Sequence, residues 1–323
     1  MSYLLVFLAS GAAIVLAGTA LARSADAIAE ASGLGRVWIG SVLLAGATSL
    51  PELATDVAAV RMGASDLAVG DLFGSSLANM LILALVDLLP PRRGVLQRAA
   101  LDHALAAALA IALSALAAVL VFIRPAEAIL GVAPGSVLIF LFYVAGARAV
   151  YLHSVRDGAA PDLARKSIRR PLRSFALAAL GVLAAAPAFA WAARGIAEIS
   201  GLGNTFVGTA LVGLATSLPE VVTCLAAVRI GSFDLAVGNL FGSNAINMAI
   251  LLPLDLAQPG SLFAALDPGH ALSGLFAVVL MSLGLAAILY RAKRRFAMLE
   301  PDSALIAAAY FAALWLLYLH SVP

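Results

Sequence analysis

A chain of 323 residues that is 63% hydrophobic and only 12% charged, with a mean hydropathy of +1.03, excludes an ordinary soluble domain, which carries roughly twice that charged fraction. The net charge is +2 and the basic residues gather in short connections, so there is no footprint for nucleic acid. The single cysteine, Cys224, excludes an intrachain disulfide and any multi-cysteine metal site.

The apolar stretches are long and Ala/Leu-rich rather than alternating, which favours an all-α polytopic membrane protein over a barrel. The stretch from Met1 to Ala22 lacks the basic start of a cleaved signal peptide and reads as the first membrane span. With about 20 apolar residues needed to cross the hydrocarbon core, the expected spans are roughly 3–22, 37–60, 67–89, 101–123, 127–150, 175–193, 205–228, 235–257, 270–290 and 303–320. The connection after span three holds Arg92, Arg93 and Arg98. The one after span five holds Arg156, Arg165, Lys166, Arg169, Arg170 and Arg173, and the one after span nine holds Arg291, Lys293, Arg294 and Arg295. The opposite side has only Arg61, Arg124 and Arg194. The positive-inside rule therefore places the odd-numbered connections in the cytoplasm and both termini outside it.

Spans two and three, and again seven and eight, carry nearly the same text. "GATSLPELATDVAAVRMGASDLAVGDLFGSSLANM" runs from Gly46 to Met80, and "LATSLPEVVTCLAAVRIGSFDLAVGNLFGSNAINM" from Leu214 to Met248. Adding 168 to a residue number maps one onto the other without a gap, and about 29 of 50 positions from Glu30 and Glu198 onward are identical, far above chance for an internal repeat. The expected organisation is a first five-helix repeat over 1–152 with an ion-binding motif at 37–89, a basic cytoplasmic linker over 153–174, and a second five-helix repeat over 175–323 with its motif at 205–257. Five spans per half is an odd number, so the halves enter the membrane from opposite faces. This is the inverted-topology architecture of many secondary transporters.

"TSLPE" falls in the middle of spans two and seven. A proline there removes a backbone donor and breaks or kinks the helix, and broken backbone at membrane depth survives only where protein or a water-filled cavity satisfies it. Freed carbonyls, the hydroxyls of Thr48, Ser49, Thr216 and Ser217, and the carboxylates of Glu52 and Glu220 supply hard oxygen ligands, suited to Na⁺ and Ca²⁺ and not to soft metals. Ser75 and Asn79 share one helix face by their spacing of four, as do Ser243 and Asn247. These four residues serve either ion binding or helix–helix hydrogen bonding. A glutamate in mid-membrane costs several kcal/mol unless paired or solvated, and no basic residue lies at similar depth inside any expected span.

Asp56 and Asp71 break the repeat, since their counterparts are Cys224 and Asn239. They are expected at an outer vestibule. Asp66 and Asp234 are expected to pair locally with Arg61 and Arg229, His103 and His270 to sit at the interface, and Asp87 and Asp255 to reach solvent at the ends of their spans.

These two motifs resemble the α-repeats of the sodium/calcium exchangers, within the calcium/cation antiporter superfamily, and the resemblance extends to the ten-helix layout. It implies that ions bind between the repeats. Glu52 and Glu220 would be the central carboxylates shared by Ca²⁺ and Na⁺. Thr48, Thr216, Ser49 and Ser217 would add hydroxyl or carbonyl oxygens, and Ala45 and Gly213 backbone carbonyls for sodium. Ser75 and Ser243 would complete outlying sodium sites, with Asn79 and Asn247 flanking the centre. Spans one and six would slide across the other eight. Asn247 stands where prokaryotic members often carry Asp, and Asp56 and Asp71 stand where small polar or amide residues are common.

The expectation is thus a prokaryotic-type antiporter of a bacterial or archaeal inner membrane, exporting Ca²⁺ in exchange for Na⁺. It would be no enzyme, use no cofactor, and have the two ions and the lipid bilayer as partners, with no nucleic acid and no obligate protein partner. A proton- or potassium-coupled exchanger of the same superfamily is the alternative, followed by a cation channel and a non-transporting scaffold.

Overall fold

The computed structural model describes residues 2–88, 95–98, 102–157, 167–199, 216–290 and 301–321. Eight of its helices are long and apolar enough to cross a membrane. They are α1 (Ser2–Ser32), α4 (Ser65–Asp87), α5 (His103–Ile123), α6 (Pro134–Asp157), α7 (Arg169–Ile199), α9 (Phe233–Ala257), α10 (His270–Tyr290) and α11 (Pro301–Ser321). A ninth candidate is a broken pair, α2 (Arg36–Thr48) and α3 (Leu50–Arg61), bent by 43° at Ser49. Of the seventh expected span, α8 (Leu218–Arg229) and the two residues before it are described. Gly213 and the rest of that span lie outside the described residues, as do Arg92, Arg93, Arg165, Lys166, Arg291, Lys293, Arg294 and Arg295.

Three spans differ clearly in length from expectation. The first runs on to Ser32 rather than ending near 22. The fifth starts at Pro134 rather than near 127, because residues 124–133 turn away from helix. Arg124 caps α5 in the left-handed region, Leu130 and Gly131 also have positive φ, and Ile129 bridges Val132. The sixth is longer at both ends, which places Arg194 inside α7.

The core is built around α4 and α9, which occupy corresponding places in the two halves. In their most apolar windows, 78% and 89% of residues are buried, against 17% for α11. α4 is covered by α10 and α11, from the second half, and α9 by α5 and α6, from the first. The turns that feed them also match. Gly63 and Gly231 have φ of +79° and +80°, a left-handed conformation that glycine adopts without steric cost. α9 lies against the backbone of α2, where a Cβ on Gly242 would come within 2.2 Å of the Ser41 carbonyl oxygen. The small residues let the two helices touch. α1 runs chiefly along α7, with Phe7 stacked on Phe189 and Tyr3 tilted against Trp191.

The polar residues at the span ends tie one half to the other. His103 Nε2 lies 3.1 Å from Asp234 and His270 Nε2 lies 3.2 Å from Asp66, so each half lends its histidine to the other half's aspartate. Local pairing with Arg61 and Arg229 was expected. The chain instead brings the start of each long C-terminal helix pair over the opposite turn. Asp87 and Asp255 are fully buried rather than wet. Asp255 accepts from the N–H groups of Ala133 and Leu262 at 2.6 and 2.8 Å and from the Ser136 hydroxyl at 2.7 Å. Asp87 accepts from Leu96 N–H at 2.6 Å and from the Ser303 hydroxyl. Each carboxylate satisfies loop and helix-start donors that would otherwise be orphaned.

Candidate ion-binding site

The break at Ser49 and the start of α8 at Leu218 set the position of Glu52 and Glu220. Pro51 and Pro219 stand in the first turns of α3 and α8, just past Ser49 and Ser217. Those serines have nearly the same backbone, φ −85° and ψ −2° against φ −83° and ψ 8°. Pro51 has no N–H, so the Ala47 carbonyl of α2 loses its helical donor. A π-helical turn over Ile39–Leu44 precedes the break, with Ala45 N–H reaching back to the Gly40 carbonyl. Such turns occur mostly as single insertions near functional sites. The Ala45 carbonyl itself accepts from Ser49 N–H at 3.0 Å and from the Thr48 hydroxyl at 3.1 Å.

Glu52 and Glu220 are 3% and 0% exposed. They come from opposite halves, and Glu52 feels the charge of Glu220 most strongly, then of Asp71 and Asp56. The Ser75 hydroxyl lies toward Glu52 and the Thr48 hydroxyl toward Glu220. The Thr216 hydroxyl lies toward Asp71. With its amide oriented to satisfy both ends, Asn247 donates to Glu52 Oε2 at 3.2 Å and to the Ser243 carbonyl at 3.0 Å. Asn79 Nδ2 donates to Asn244 Oδ1 at 2.8 Å, across the two halves. Among the expected ligands described, Thr48, Ser49, Glu52, Ser75, Asn79, Ser217, Glu220, Ser243, Asn247 and Ala45 are buried and Thr216 is half-buried. Asp56 is buried and Asp71 half-buried.

What distinguishes this region is its unmet bonding. Among the described residues, buried oxygens without a hydrogen-bond partner belong to Ser49, Ser75, Asn79, Ser217, Ser243, both carboxylate oxygens of Glu220, and Asp56; outside this region only His103 Nδ1 and Ser114 Oγ are left so. Orphaned buried polar atoms are uncommon and costly. Here they are acceptors or hydroxyls clustered around two carboxylates, the donor set that hard cations take. No three carboxylate, histidine or cysteine side chains form a metal-holding group among the described residues, so hydroxyl, amide and carbonyl oxygens must complete any coordination sphere.

Sequence reasoning passed over Asn244. It occupies the position of Ser76 in the first half, and besides accepting from Asn79 it donates to the Ser76 carbonyl at 3.3 Å. The difference between "GSS" and "GSN" was the available signal. It also missed the network around Asn239, whose amide donates to Thr223 Oγ1 at 3.2 Å and to Cys224 Sγ at 3.7 Å while its oxygen accepts from Thr48 at 3.4 Å.

A broken helix beside buried, unpartnered oxygens, in an all-helical membrane fold, fits a cation-handling membrane protein. The chain belongs to the sodium/calcium exchanger protein family, which matches it over residues 2–149 and 172–321. The family and fold are those of an ion exchanger. The chain is 28% identical over 279 residues to the sodium/calcium exchanger MaX1 of Methanosarcina acetivorans, covering 72% of this chain and 76% of that one. It is 29% identical over 287 residues to the inner membrane protein YrbG of Escherichia coli, covering 77% and 78%. Its fold matches a solved structure of the sodium-calcium exchanger NCX_Mj with a TM-score of 0.76 at 20% identity, over 99% of each chain.

Proposed function

We propose that this protein is a secondary active antiporter that exchanges Ca²⁺ for Na⁺ by alternating access, and that it exports Ca²⁺ across a bacterial or archaeal inner membrane. The observation that carries this reading is the meeting of Glu52 and Glu220, one from each half, inside a nest of unpartnered oxygens. Two carboxylates neutralise one Ca²⁺ or bind sodium ions, and cannot do both at once. An empty site leaves buried negative charge, which disfavours crossing. Competition for shared ligands is therefore the source of coupling. Thr48, Ser49, Thr216, Ser217, Ser75, Ser243, Asn79 and Asn247 are the supporting ligands in this reading, with the carbonyls of Ala45 and Gly213. Asp56 and Asp71 lie on the outer side of the centre.

Ten spans in two inverted five-span halves accommodate this mechanism. The swapped pairs His103–Asp234 and His270–Asp66 support the inversion, because the basic-residue bias assigns the first pair to the cytoplasmic side and the second to the outside. Both termini then lie outside the cytoplasm. α1 and α7, joined along their length, are the pair that slides.

Three Na⁺ for one Ca²⁺ is the proposed count. One net charge then crosses per cycle, worth about 2.3 kcal/mol per 100 mV, and an inside-negative potential assists export. The test is ⁴⁵Ca²⁺ uptake into proteoliposomes loaded in turn with Na⁺, with K⁺, or with a pH gradient, under a clamped diffusion potential. Uptake driven by internal Na⁺, with a voltage-dependent reversal point, is expected. Uptake driven only by K⁺ or by protons gives the driving role to that ion, and downhill flux without a counter-ion makes the protein a channel.

A further inference from the structure

The inward faces of the two halves differ most in their charge. In the second half, Cys224 on α8 faces Asn239 on α9, and the Asn239 amide uses both ends. Its nitrogen donates to Thr223 and Cys224, and its oxygen accepts from Thr48 of the other half. This is a closed, neutral set.

In the first half the same positions hold Asp56 and Asp71. Thr216 lies toward Asp71 in the place where Thr48 bonds Asn239, so that part of the network has its counterpart. The rest has no copy. A carboxylate carries no N–H to donate, and by the repeat the position facing Asp71 holds the carboxyl of Asp56 where its twin faces a thiol. Asp56 is 3% exposed and its Oδ2 has no partner. The Arg194 guanidinium on α7 acts on Asp71 from a distance, with no ion pair between them. Two carboxyl groups stand where the other half places a donor and an acceptor, and such a pair is closed by a bound cation or by a shared proton.

We propose that Asp56 and Asp71, with the Thr216 hydroxyl, hold one hard cation, Na⁺ or Ca²⁺, at a subsite that exists in the first half alone. The subsite adjoins the central cluster, since both aspartates act on Glu52. It rests on the exchanger reading for its place in transport. It supplies the anionic charge that a third sodium ion needs, which Glu52 and Glu220 by themselves do not provide.

The test copies the second half's pair into the first. The full chain and the double variant Asp56→Cys/Asp71→Asn are purified in detergent, and thermal unfolding midpoints are followed against Na⁺ alone and Ca²⁺ alone, since an ion that binds the folded state raises the midpoint. Without ions the double variant is expected to be at least as stable as the parent, because a repulsion has been replaced by hydrogen bonds. For at least one of the two ions, its half-saturating concentration should rise at least about tenfold, since both charged ligands of the subsite are lost. The ion affected identifies the occupant. Should the double variant not fold, Asp56→Asn alone is read the same way. Coincident ion curves for parent and variant at pH 6 and pH 8 overturn the subsite and leave a shared proton as what closes the pair. Glu220→Gln in the same assay keeps the two readings apart. If its ion response is intact while the aspartate variant's is lost, the central site is wrong and the subsite stands.

Discussion

Two pairs of buried carboxylates are related by the same repeat and bonded in opposite ways. Glu52 and Glu220 sit at the centre, and Asp87 and Asp255 at the ends of the spans that follow. All four are withdrawn from solvent. At the ends, the donors are in place. Asp255 collects two backbone N–H groups and a serine hydroxyl, and Asp87 a backbone N–H and a serine hydroxyl. At the centre, both oxygens of Glu220 lack any partner and the surrounding serines are equally idle. Burial is therefore no mark of function here. In the proposed reading, a carboxylate whose bonding is complete holds the scaffold, and one whose bonding is left open is a cation ligand.

The contrast predicts separable phenotypes. The largest effect belongs to the centre. Glu52→Gln or Glu220→Gln should cut Na⁺-driven ⁴⁵Ca²⁺ exchange at least about 100-fold, because a divalent ion in a low-dielectric site depends on the charge of its ligands. Both variants should still elute as folded monodisperse protein; retention of near-normal exchange by either one removes it from the centre.

Next comes Asp255→Ala. It strands the Ala133 and Leu262 N–H groups and the Ser136 hydroxyl, at about 1–3 kcal/mol for each buried orphan. The thermal midpoint in detergent should drop sharply, while exchange per folded molecule is kept. Loss of exchange with an unchanged midpoint would reverse the assignment of the two pairs.

The smallest effect is expected from Ser303→Ala, which takes one donor from Asp87 and leaves Leu96 N–H in place. A loss of about 1 kcal/mol of stability is expected, with transport unaltered. A midpoint drop as large as that of Asp255→Ala would show that the hydroxyl, and not the backbone N–H, anchors Asp87.

Much of this arrangement was legible in the chain. The paired "TSLPE" and "GSxxxN" stretches located the helix break at Ser49, the start of α8 and most of the residues that the structure leaves with open bonding, because a proline break and a polar residue in an apolar run are local signals. The end carboxylates were misread as solvent-exposed. Ala133 and Ser136, the partners that keep Asp255 dry, are 122 and 119 residues away in the chain, and no local pattern announces them. The histidine–aspartate pairs were hidden in the same way, by separations of 131 and about 200 residues. The π-helical turn before Ser49 left no signature either, since Ile39–Leu44 has the composition of plain helix.

The sealed position of Cys224 has a practical consequence. It is the chain's sole cysteine and its side chain is fully enclosed, so a polar maleimide finds no native thiol to react with. The unaltered sequence is therefore already a background for site-directed labelling. A cysteine at Ile199, on the exposed end of α7, and another at Leu130, in the loop after α5, would be the sole reactive thiols. Spin labels or fluorophores placed there would report the distance between α7 and the rest of the molecule as Na⁺ and Ca²⁺ are exchanged, with no native residue removed to make room for them.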